Sequence, residues 1–84
     1  MSVYLQFVDK ARNPFKVDYP YYGLFASAEV TAVPTQDQVY ECRLRNGHTL
    51  RLQKVEKRWI DTGLNHETPL AAIIGTSIDD FLRS

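Results

Sequence analysis

The stretch from Gln38 to Val55, QVYECRLRNGHTLRLQKV, constrains the fold of this chain more than any other. Two alternating runs flank Asn46-Gly47, the pattern of a β-hairpin. Residues directly opposite one another in a hairpin share a face of the sheet, so only some loop lengths bring apolar side chains together. A two-residue loop of Asn46 and Gly47 would set Leu44 opposite Thr49 and Cys42 opposite Arg51, mixing the faces. A three-residue loop of Arg45, Asn46 and Gly47 sets Cys42 opposite Leu50 and Tyr40 opposite Leu52, with Glu41 opposite Arg51 on the reverse face. This register predicts a bulge at Gly47, where glycine takes a left-handed conformation without a Cβ penalty.

The same logic extends upstream. Leu24 to Val33 reads as a strand whose even positions, Leu24, Ala26, Ala28, Val30 and Ala32, form an apolar face. A five-residue loop, Pro34 to Gln38, places Ala32, Val30 and Ala28 opposite Tyr40, Cys42 and Leu44, so that small side chains face large ones. Glu29 then meets Arg43 on the reverse face. Before this strand, Pro14 to Tyr19 alternates with Phe15, Val17 and Tyr19 on one side, and Val3 to Val8 alternates too. A loop at Lys10 to Arg12 would pair Phe7 with Phe15, Leu5 with Val17 and Val3 with Tyr19. Pro14 has no N–H to give, which places it at an edge or outside the ladder. Tyr19-Pro20-Tyr21-Tyr22-Gly23 reads as a break where the chain changes direction.

Downstream of Val55 two registers are open: a two-residue turn at Glu56-Lys57 puts Trp59 on the face of Leu50 and Leu52, whereas a three-residue loop puts Ile60 there and Trp59 outside. The first is favoured, because an exposed indole is costly and a small core needs its volume. Thr68-Pro69 then opens a helix, with Thr68 as cap and Pro69 at the first helical position. Leu70, Ile73, Ile74, Ser77, Ile78, Phe81 and Leu82 follow one helical stripe. Ala71, Ala72, Thr76, Asp79, Asp80 and Arg83 fall mainly on the other side, with Asp79 and Arg83 spaced for a surface ion pair. Gly75 is unfavourable in a helix by roughly 1 kcal/mol, which implies close approach of another backbone or plain tolerance. Together these readings predict one α+β domain over residues 1–84. It is an antiparallel β-meander of five or six strands with a single C-terminal amphipathic helix packed on its apolar face.

The composition narrows the function classes. A formal net charge of zero and a pI near 6.7 give no overall attraction to nucleic acid or membrane. A single cysteine permits no internal disulfide and no zinc cage, and no cofactor or metal motif is present. The start MSVYLQFVDK carries neither a basic leader nor a long apolar run, which makes a cytoplasmic location the default expectation. No segment approaches the roughly 20 apolar residues of a membrane span. Cys42 and His48 offer a nucleophile and a base, with His66, Asp37 or Asp61 to orient them. Cys42, however, lies on the expected core face, where cysteine acts as a small inert hydrophobe, so no catalytic residue is assigned.

Two surfaces remain as candidates. Arg43, Arg45, Arg51, Lys54, Lys57 and Arg58 lie within sixteen residues whose only acid is Glu56, a pattern suited to nucleic acid or another anion. The expected pairing of Arg43 with Glu29 and Arg51 with Glu41 dilutes it. Tyr19, Tyr21 and Tyr22 form a possible aromatic contact surface. The best-supported expectation is a small non-catalytic module that binds a protein partner or pairs with itself as a homodimer, using the few-charged edge Val3–Val8. A nucleic-acid-binding hairpin is the alternative.

Overall fold

The computed structural model describes residues 14–83. It contains β1 (Phe15–Tyr21), β2 (Leu24–Ala32), β3 (Val39–Leu44), β4 (Thr49–Val55), β5 (Arg58–Asp61) and one helix, α1 (Pro69–Arg83). The strands follow one another as an antiparallel meander, β1-β2-β3-β4-β5. The expected pairing of Val3–Val8 with the first described strand lies outside the described residues.

The registers follow from side-chain parity. Cys42 stands opposite Leu50, Tyr40 opposite Leu52 and Glu41 opposite Arg51. The Leu44 amide donates to the His48 carbonyl at 2.8 Å, which closes the three-residue loop, and Gly47 has φ 89°. On the other side of β3, Ala28, Val30 and Ala32 meet Leu44, Cys42 and Tyr40. Strand β1 joins with Phe15 opposite Val30, Val17 opposite Ala28 and Tyr19 opposite Ala26, so the apolar face continues across the sheet. The ladder begins after Pro14, as its missing N–H requires.

Strand β1 does not break at Pro20, as the Tyr-Pro-Tyr stretch suggests, but runs through it to Tyr21. Among the described residues β1 has a strand partner only on its β2 side, and an edge strand tolerates a proline whose ring points away from the ladder. The turn shrinks to Tyr22-Gly23.

Helix α1 packs against β1, β4 and β5, so strands from both ends of the sheet reach the same helix and the sheet is curled around it. Its start is fixed by Thr68, whose Oγ1 accepts from the Ala71 amide at 3.0 Å. The core between the two layers joins Phe15, Val17, Val30, Cys42, Leu52 and Trp59 from the sheet to Ala71, Ile74 and Ile78 from the helix. At its far end the rings of Phe15 and Phe81 stack, 4.0 Å between centroids.

Three helix positions differ from the expected stripe. Ala71, assigned to the outer side, is fully buried, because the packed centre of the helix follows 71, 74, 75 and 78. Gly75 is needed for close approach: a Cβ there would overlap Cγ, Cδ1 and Cδ2 of the Trp59 indole. The close neighbour is thus the Trp59 side chain and not the expected second backbone. Finally, Asp79 does not pair with Arg83, which bonds Asp80 instead at 2.8 Å. Asp79 turns toward the sheet and accepts from Lys54 Nζ at 2.7 Å and from Trp59 Nε1 at 3.0 Å. One carboxylate therefore pins the helix to β4 and β5 together.

Candidate functional site

The described part of β2 is nine residues long, while β3 reaches only to Leu44, opposite Ala28. The last residues of β1 and the first of β2 therefore extend beyond the sheet as a two-stranded ribbon. Within the β1–β5 sheet, Leu24 to Ser27 have β1 as their sole strand partner. The turn at the ribbon's end has positive φ at both central residues, 50° at Tyr22 and 77° at Gly23, the geometry of a type I′ hairpin. Glycine takes this conformation freely. A tyrosine does so at a cost of about 1–2 kcal/mol, and asparagine is the usual occupant.

The ribbon is apolar on both faces. Tyr21 is paired with Leu24, and Pro20 with Phe25 on the opposite face. Tyr22 is 90% exposed, Phe25 80%, Leu24 75% and Tyr21 50%. The three tyrosines therefore divide. Tyr19, expected on the contact surface, is only 4% exposed and belongs to the core, and burial raises its phenol above the usual range with Tyr21 and Cys42 adding to the effect. Its ring meets Tyr21 edge-on at 6.3 Å, and Tyr21 in turn meets Tyr22 at 4.6 Å. A buried tyrosine thus supports two that face solvent. Leu24, expected on the buried face, and Phe25 complete the surface. The adjacent apolar pair Leu24-Phe25, which breaks strict alternation, is the sequence signal for it.

Beside the ribbon on the concave side lies a groove of about 430 Å³. Its walls come from three elements: Tyr21 and Ala26 of the ribbon, Leu44 and Leu50 of the β3–β4 hairpin, and Leu70 in the first turn of α1. His48 lies at its rim and is exposed. Tyr19 to Ala28 contains no charged residue. Edge strands guarded against other chains carry a charge or end early.

The six basic residues are not gathered into one surface. Lys54 points to the concave face and is held by Asp79. Arg51 pairs with Glu41 at 3.4 Å, and Arg58 lies 3.6 Å from Glu67. Arg43 stands opposite Glu29 in the ladder. Arg45 sits in the β3–β4 loop and Lys57 in the β4–β5 turn, at opposite ends of β4. Arg43, Arg51 and Arg58 share the outer face of β3, β4 and β5, where acids interleave with them, and Lys54 alone of these strand residues turns to the concave face.

Cys42 is completely buried, and desolvation, with a smaller contribution from Glu41, pushes its thiol up to about 12. Such a thiol is un-ionised at neutral pH and out of reach of a substrate. His66 is engaged through Nδ1 with the Glu67 carbonyl at 2.6 Å. Asp61 is committed to structure, accepting from the Gly63 amide at 2.9 Å to shape the β5–α1 loop. Among the described residues no group of three His, Cys, Asp or Glu side chains could hold a metal ion, and no helix is long and apolar enough to cross a membrane. No protein-family model matches the chain, and neither a curated protein nor a solved structure matches it significantly.

Proposed function

We propose that this chain is a non-catalytic protein-interaction module whose contact surface is the β1–β2 ribbon: Tyr21, Tyr22, Leu24 and Phe25. The observation that carries this reading is the concentration of exposed large apolar side chains at one projecting turn. At roughly 150–250 Å² for a whole aromatic side chain, the three rings leave about 450 Å² of aromatic surface in water, within the range where an apolar patch on a monomer is commonly functional. A buried, un-ionised Cys42 favours a binding role over thiol chemistry.

The test is capture from a lysate of the native host with the tagged full chain, comparing wild type with Tyr22→Asn, Phe25→Lys and Arg43→Ala. Both ribbon variants should lose the captured proteins and Arg43→Ala should keep them. Capture that survives both ribbon variants would refute the assignment. Loss on Arg43→Ala together with nuclease treatment would move the function to nucleic acid.

A further inference from the structure

The ribbon and the groove beside it form a self-complementary pair on one molecule. We infer that the partner is a second copy of this chain, with the ribbon of each copy inserted in the groove of the other about a two-fold axis. This rests on the ribbon's being the contact surface and adds what it contacts. A flat apolar patch needs cover on one side only. Here Tyr21 and Leu24 occupy one face of the ribbon and Phe25 the other, so the occupied state must enclose the ribbon from both sides. The groove supplies walls from different elements, with the ribbon's own Tyr21 and Ala26 on one and Leu44, Leu50 and Leu70 on the others.

Charge and area agree with this occupant. The segment from Tyr19 to Ala28 is uncharged and the chain has no formal net charge, so the ribbon itself brings no charge to the groove, whose lining carries Arg45 as its one formally charged side chain. An isologous contact presents the same patch twice. With Leu24 included, each copy exposes roughly 600 Å² at the ribbon, so the pair buries about 1,200 Å², the lower bound of specific interfaces. An interface at that lower bound suits a reversible dimer that forms and dissociates with concentration. Among the described residues no strand pairs with Leu24 to Ser27 on the side away from β1, so their backbone offers further hydrogen bonds to the incoming ribbon.

Sedimentation velocity on the full chain across the micromolar range tests the inference. Wild type should pass from monomer to dimer, and Phe25→Lys should raise the Kd about tenfold or more while its thermal melt stays cooperative. Tyr22→Asn should also weaken the dimer, and its monomer should melt at or above the wild-type temperature because asparagine accepts the left-handed turn. His48→Glu, at the groove rim, should weaken the dimer as well. A dimer that survives His48→Glu but not Phe25→Lys would be tip-to-tip contact and would overturn the insertion. A wild type that stays monomeric throughout would overturn the second copy as partner; if the ribbon variants still lose captured proteins, the contact surface stands with a different occupant. Ribbon-dependent co-sedimentation of monomer with phosphatidylcholine–phosphatidylserine vesicles would overturn both.

Discussion

Gly75→Ala decides whether the helix is held as described. In a solvent-exposed helix the change to alanine stabilises by about 1 kcal/mol. Here the new Cβ would overlap three atoms of the Trp59 indole. The ring must move, and it is buried between Tyr40, 5.7 Å away between centroids, and the helix that carries Asp79. Overpacking of this kind costs about 1–3 kcal/mol, and displacing the indole also stretches its hydrogen bond to a carboxylate, a further 1.5–3 kcal/mol or so. After the propensity gain, the net loss is about 1.5–5 kcal/mol. A chain of this length has roughly 4–12 kcal/mol in total, so the effect is large. Urea unfolding followed by the fluorescence of Trp59, the only tryptophan, measures it. Ala72→Gly, on the exposed side of the same helix, is the control and should cost only about 1 kcal/mol. A Gly75→Ala protein more stable than wild type would refute the close approach and with it the seating of the helix.

Asp79→Ala should destabilise by about 1.5–3 kcal/mol in the same assay, since it orphans the indole N–H and the Lys54 ammonium together. Asp79→Asn, which keeps an acceptor for the indole, should lose less, and equal losses would contradict the shared role. Cys42 makes stability pH-dependent at the alkaline end. Its folded thiol titrates near 12 against 9.0 unperturbed, so above pH 9 the unfolded chain gives up the proton first and stability falls as pH rises. The slope reaches about 1.4 kcal/mol per pH unit and vanishes below pH 9. Urea midpoints for Cys42→Ala should decline less steeply than wild type between pH 9 and 10, before Tyr19 and Tyr40, also raised by burial, contribute. Parallel profiles would contradict the burial of the thiol.

Parity is why so much of the sheet was legible before any coordinates. Cys42, Leu50, Tyr40 and Leu52 admit one loop length, and Trp59 falls inside once Glu56-Lys57 is the turn. The helix cap was legible in Thr68-Pro69 for the same local reason. Parity assigns a side chain to a face, however, and not to a place under cover. Leu24 is on the apolar face yet exposed, because β3 stops short of it. Ala71 was misplaced because a small side chain leaves little trace in a stripe of leucines and isoleucines, although it marks where the helix comes nearest the sheet. The basic run is only partly a surface feature: Arg43, Arg51 and Arg58 share the outer face, while Lys54 turns to the concave side. Lys54 found its acid 25 residues away, a pairing that local spacing does not encode.

Amide chemical shifts followed on dilution of the isotope-labelled chain test the contact surface most directly. Shifts that move with concentration should cluster at Tyr21 to Ser27 and along Leu44 to Leu50 and Leu70, with the outer-face residues Arg43 and Arg58 unmoved. Movement concentrated on the arginines, or a spectrum that stays constant from dilute to concentrated solution, would contradict it.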